Sequence, residues 1–225
     1  MTVKELEARV KALEELTHSQ AAEIKTFKDI EAINRLQKAY GYYLEHWMVK
    51  EIIDLFSDGP DVSLTLAPGT YMGKAGVKRY FEHYQPNNEF LHQMMQLSGI
   101  VDVDPDGKNA KGRWYGFGAI SMPRGKGMSQ TFMSGIYISE YVKEDEVWKF
   151  KTLRFDMFYN AKPLEGWVKP ERLSSSPSDM FKADIPRSYS ALYPSGYIVP
   201  FHYKHPVTGK KTSENAWNKS LKRTS

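Results

Sequence analysis

The apolar period of this chain changes once, and that change fixes the class of fold open to it. Up to about residue 84 apolar residues recur every three or four positions. Ile30, Ile33, Leu36, Tyr40, Tyr43 and Leu44 form one helical face. From His92 onward the period is two. Residues 92–104, 110–122, 130–143 and 147–159 read as strands, joined by the turns Pro105-Asp106-Gly107, Pro123-Arg124-Gly125 and Glu144-Asp145. Helices followed by a run of antiparallel strands give an α+β class, with helices covering one face of a curved sheet. Gly112, Gly116, Gly118 and Gly135 fall inside the strands and mark bulges or bends. A sheet bent so strongly and closed by helices is a cone with a cavity.

Three parts follow: an amphipathic helix over 1–28, a cone over 29–160, and an extended arm over 161–225. Val3, Leu6, Val10 and Leu13 repeat at heptad spacing among charged residues. That stripe either packs on its own domain or forms a seam between subunits. Gly41 and His46-Trp47 are places where the second helical stretch can bend. A further helix spans 48–56 and stops at Ser57-Asp58-Gly59-Pro60; 62–66 reads as a strand, 67–70 as a turn. Val77, Tyr80, Phe81 and Tyr84 mark a short helix. After Asn160, prolines break every period, yet Tyr189 to Tyr203 is too apolar for a free linker. The arm is expected to wrap a neighbouring subunit, making a homo-oligomer, a trimer in preference to a dimer.

Composition removes several function classes. There is no cysteine, so disulfides, thiolate metal sites and thiol nucleophiles are excluded. The six histidines show no zinc-type spacing, and no metal is expected. No Gly-rich phosphate loop occurs, so no nucleotide cofactor is implied. A net charge of +4 is spread over interspersed signs, which does not point to nucleic acid. No run approaches about 18 apolar residues, so no membrane span is expected. Residues 1–16 carry charge throughout and no apolar signal core, so a cytoplasmic location is expected.

A set of short segments is collectively specific. They are Ile33-Asn34-Arg35-Leu36 through Tyr43-Leu44-Glu45, Ile53-Asp54-Leu55-Phe56-Ser57-Asp58, and Gly69-Thr70-Tyr71-Met72-Gly73 with Gly76. The strand opening at His92, Gly135-Ile136-Tyr137, Glu140-Tyr141 and Val147-Trp148-Lys149-Phe150 complete them. Over roughly 29–170 the chain resembles the SnoaL-like branch of the nuclear transport factor 2-like superfamily. The resemblance implies a cystatin-like α+β cone, usually dimeric or trimeric, and acid–base chemistry without a cofactor. Activities in the family include polyketide cyclisation, dehydration, dehydrochlorination and deformylation of lignin-derived diarylpropane diols. It places Glu45 at the family's helix aspartate, one methylene longer, and His92 at its catalytic histidine. Leu153 falls where dehydrochlorinases carry an arginine, with Arg154 on the opposite face, which argues against a halide leaving group.

A histidine can take a proton in one half-reaction and return it in the next, and a carboxylate on its second nitrogen fixes the tautomer. An ideal helical wheel sets Glu45 roughly 140° from the apolar face, so only a bend at Gly41 or a helix end at His46 aims it inward. If His92 points inward, Met94 does too. Tyr42, Tyr43, Trp47, Tyr71, Met94, Tyr115, Phe117, Tyr137 and Phe155 are the candidate substrate-binding residues. Aromatic and methionine walls suit a flat aromatic ligand. The expected function is a cofactor-free lyase on a hydroxylated aromatic compound, with deformylation of a 1,2-diarylpropane-1,3-diol to a stilbene and formaldehyde as the specific reaction. The alternatives are a dehydratase or isomerase of an aromatic substrate, and a non-catalytic ligand-binding module.

Overall fold

The computed structural model describes residues 1–83, 90–124, 127–164, 182–186 and 202. One helix, α1, runs from Val3 to Glu45. No proline interrupts it and Gly41 lies near its end, so nothing breaks it at residue 28, where a separate first helix was expected to stop. Its start is held by a capping box: the Thr2 amide donates to Glu5 Oε2 at 2.7 Å and the Glu5 amide to Thr2 Oγ1 at 3.2 Å. Residues 1–28 are all exposed. From Asp29 the helix meets the sheet through Asp29, Ile33, Gln37, Tyr40, Gly41 and Leu44, an i, i+4 stripe with its steps shortened at Tyr40–Gly41. Gly41 is a point of contact, not a bend. A Cβ there would lie 2.9 Å from the Met94 carbonyl oxygen, so glycine lets helix and strand approach.

Two short helices follow, α2 (Val49–Asp54) and α3 (Gly73–Glu82), with strands β1 (Ser63–Leu66) and β2 (Gly69–Met72) between them. Strand β2 occupies part of the expected turn. The long strands are β3 (Leu91–Val103), β4 (Asn109–Arg124), β5 (Gly127–Glu144) and β6 (Val147–Ala161), and β7 is the pair Ile185–Pro186. The sheet order is β3-β4-β5-β6-β1-β2-β7, antiparallel except where β1 runs parallel to β6. Register shifts at Leu97/Ile100, Ser134/Gly135 and Glu140/Tyr141 bend the long strands. The result is a mixed α+β fold with a curved antiparallel sheet that remains unclosed, its concave face covered by the helices.

Buried polar groups tie α1 to the sheet. Gln37 donates to Gln96 Oε1 at 2.7 Å, and its Oε1 accepts from Tyr141 at 2.6 Å and Ser139 at 3.2 Å. Trp114 Nε1 donates to the Tyr141 hydroxyl at 3.0 Å. At the other end Asp29 accepts from Lys143 and from Trp148 Nε1. The hydrogen bonds and the Lys143 ammonium outweigh burial and hold the Asp29 carboxyl below its ordinary range. Part of the C-terminal arm is described, and it returns to its own domain. Ile185 pairs with Thr70 of β2, and Asp184 accepts from the Met72 amide and from Arg79. The segment Tyr189 to Tyr203, apart from His202, lies outside the described residues.

Candidate active site

The site is built around the end of α1. The helix closes in a Schellman turn: the Met48 amide donates to the Tyr43 carbonyl at 2.9 Å and the Trp47 amide to the Leu44 carbonyl at 3.1 Å. The left-handed position of that turn usually holds glycine, but here it is Trp47, with φ 51°. A side chain in this conformation costs about 1–2 kcal/mol. Packing offsets it. The indole is buried and its Nε1 donates to the Phe81 carbonyl at 2.9 Å. The strained turn aims the ring at His92, whose imidazole centroid lies 5.4 Å away.

His92 stands near the start of β3, opposite Ile120 of β4. It opens on a cavity of about 80 Å³ between α1, α3 and the sheet. Trp47, Tyr40 and Leu44 come from the end of α1 and its turn, Tyr80 and Phe81 from α3, Leu66 to Pro68 from the β1–β2 turn. The sheet supplies Met94, Met133, Tyr137, Phe155 and Met157. Nδ1 of His92 is buried and has no hydrogen-bond partner among the described residues. Burial pushes its pKa down from 6.5 to about 4, so the imidazole is neutral at pH 7. Burial also keeps the Tyr40 phenol protonated well above its ordinary range, reinforced by the nearby Tyr137 and Tyr80. Burial likewise raises the Tyr137 phenol. The cavity therefore offers a neutral base and three phenols inside an apolar wall.

Four of the nine expected binding residues meet here: Trp47, Met94, Tyr137 and Phe155 line the cavity, together with the expected catalytic residue His92. Others lie elsewhere. Tyr115 and Phe117 are 54% and 38% exposed on the opposite face of the sheet, and Tyr42 is 69% exposed on the solvent side of α1. The inward positions of β4 are Trp114, Gly116 and Gly118. A Cβ on Gly116 would lie 2.7 Å from the Tyr137 ring and 2.8 Å from Phe155. Rings from β5 and β6 thus fill the space over the glycines, and the aromatic residues of β4 turn outward. Tyr71 is buried behind Tyr80, centroids 4.9 Å apart, its pKa raised to about 12 by burial. Tyr43 packs on the core without lining the cavity. Glu45 also stays off the cavity wall, and no hydrogen bond among the described residues joins it to His92. Leu44 holds the inward position, which turns its neighbour aside by about 100°.

Tyr40 and Tyr80 also stand on the wall, and Met157 joins it by alternation with Phe155 on β6. Tyr40 was legible only as a core position of the helix; the i, i+4 pair Tyr40–Leu44 is the signal that places it beside the helix end. Leu153 is buried, and Arg154 binds Asp156 at 2.9 Å, so neither gives the cavity a cation. No group of three or more His, Asp or Glu side chains among the described residues is placed to hold a metal. Among the described residues no helix is long and apolar enough to cross a membrane.

The sequence matches the SnoaL-like domain over residues 25–154. No curated protein matches it. Similar solved structures include a type 2 hexachlorocyclohexane dehydrochlorinase, with 18% identity and a TM-score of 0.51 over 67% of this chain and 99% of that one. A putative scytalone dehydratase from Novosphingobium aromaticivorans has 19% identity and a TM-score of 0.50, covering 68% of this chain and 99% of its own. A type 3 dehydrochlorinase from Novosphingobium barchaimii has 19% identity and a TM-score of 0.50, with 66% and 99% covered. At these identities the likeness is one of fold.

Proposed function

The chain belongs to the SnoaL-like family, and from that premise we propose that it is a cofactor-independent lyase using acid–base catalysis on a hydroxylated aromatic compound. The observation that carries this reading is the neutral His92 in a cavity walled by Trp47, Tyr137 and Phe155. A neutral imidazole can take a proton from the substrate at pH 7. Once protonated in an apolar site it is a strong acid, and it returns the proton to the departing oxygen. The phenols of Tyr40 and Tyr137, whose pKa values burial raises, can donate to that oxygen as it leaves. Glu45 is assigned a supporting role at the helix end. Among the described residues no arginine lines the wall, which argues against halide expulsion.

The specific reaction proposed is deformylation of a 1,2-diarylpropane-1,3-diol. The benzylic hydroxyl leaves as water on a proton delivered by the Tyr40 phenol, and the proton that His92 then gains is returned to that phenol. His92 takes the proton of the terminal hydroxyl as the adjacent C–C bond breaks, giving a stilbene and formaldehyde. Simple dehydration is the second reading, and the cavity favours it. Its volume is below the range of about 300–1,000 Å³ usual for pockets that enclose larger ligands, which suits one ring better than two. Purified protein incubated with diaryl diols and with one-ring benzylic alcohols decides between them. Stilbene with equimolar formaldehyde supports the first; a conjugated alkene without formaldehyde supports the second. Binding without any product would overturn both and leave a ligand-binding module.

A further inference from the structure

We propose that residues 3–27 of α1 form a parallel, in-register, two-stranded coiled coil with a second copy of this chain. The heptad register runs without a skip across the exposed half of the helix, with polar Thr17 and Gln20 at its middle. Val3, Val10, Thr17 and Ile24 occupy one seam position, and Leu6, Leu13, Gln20 and Phe27 the other. All four of the first set are β-branched, and leucine fills half of the second. That combination favours two parallel strands over three. The Thr17 hydroxyl donates to its own helix at the Leu13 carbonyl, 2.7 Å away, so it brings no unmet donor into the seam.

Flanking charges choose the orientation. In a parallel pair Arg9 of one helix faces Glu14 of its mate, and Glu23 faces Lys28, while Leu16 meets Ala21. Every flanking contact with two charges is attractive. The domain does not obstruct the partner. Its contact stripe, Asp29, Ile33, Gln37, Tyr40 and Leu44, lies roughly 130° around the helix from the seam. Continued beyond Phe27, the seam positions become Glu31, Asn34 and Lys38, so the apolar stripe ends where the domain begins. A second copy is therefore the occupant whose shape, charge and length fit. This arrangement replaces the trimer expected from the C-terminal arm.

Sedimentation of the full chain at micromolar concentration tests the proposal, with circular dichroism to follow folding. The intact protein should run as a dimer. Leu13→Asp, at an exposed position outside the domain, should halve the mass. Arg9→Glu should weaken association at least tenfold, and adding Glu14→Arg should restore it. Because the chain has no cysteine, Gln20→Cys should cross-link the dimer under oxidation while Ala22→Cys, on the outer face, does not. A monomer, a trimer, an unchanged mass for Leu13→Asp, failure of the charge swap, or equal cross-linking by both cysteines would overturn it.

Discussion

The indole of Trp47 lies against the imidazole of His92, their centroids 5.4 Å apart and their planes tilted by 44°. The contact depends on a backbone that tryptophan adopts at a cost, and it shields the imidazole on the cavity wall. Trp47→Ala should therefore do two things. It should destabilise the fold by about 3–5 kcal/mol through the void it leaves. It should also let water reach His92 and move its pKa from about 4 toward 6.5. NMR titration of the His92 ring, beside thermal melts, measures both. An unmoved titration would mean that the indole does not control the imidazole.

His92→Gln should retain the fold and lose turnover by about 10²–10⁴-fold, the usual effect of removing a general acid–base group. Glu45→Gln should cost less than about tenfold, because the carboxylate lies off the cavity wall. Steady-state rates on any substrate that is turned over make the comparison. Equal losses would show that the two residues work as a pair in the complex.

Much of this site was legible from residues, and the misses have physical causes. Period-two alternation from His92 puts Met94 on the same face, and the same rule aligns Tyr137 and Phe155 on their strands. Tyr115 and Phe117, expected among the aromatic residues of the wall, face away from the cavity. On β4 the inward positions are glycines, vacated for rings that belong to β5 and β6. That exchange is a property of three strands together and is invisible in one. Trp47 could be suspected, but its aim comes from a left-handed turn normally signalled by glycine. The continuity of α1 was concealed by its change of face, from the heptad seam to the Ile33–Gln37–Tyr40 stripe.

Stability should fall as pH drops from 6.5 toward 4. His92 has a folded pKa near 4 and an unfolded one near 6.5, so within this window the unfolded chain binds the extra proton. Above 6.5 both states are neutral and the group contributes no slope. The loss attributable to it reaches up to about 3 kcal/mol, at 1.36 kcal/mol per unit of difference. Urea midpoints across pH 4–8 should show this slope in the wild type and a shallower one in His92→Gln. Parallel curves would place the acid sensitivity elsewhere.

Gly116→Ala should narrow the cavity from behind. The new methyl would lie 2.7 Å from Tyr137 and 2.8 Å from Phe155, so both rings must shift. Overpacking of this kind costs about 1–3 kcal/mol. Because both rings line the cavity, KM should rise with larger aromatic substrates more than with small ones. A uniform change in kcat across substrate sizes would count against these rings as the wall.

Truncation after Pro170 separates the role of the arm from that of the N-terminal helix. The described part of the arm docks on its own domain. The Asp184 amide donates to the Thr70 carbonyl at 3.0 Å, and the Asp184 carboxylate accepts from the Met72 amide at 2.9 Å and from Arg79 at 2.8 and 2.9 Å. The amide and guanidinium donors hold that carboxyl below its ordinary range. Removing the segment opens the edge of β2 and leaves Arg79 without this partner, a loss of about 2–4 kcal/mol from these bonds. The seam of α1 lies outside the sheet, so the mass in solution should not change. A lower melting temperature with an intact dimer is the expected result. A truncated protein that melts unchanged but runs as a monomer would show that the arm joins subunits instead of clasping β2.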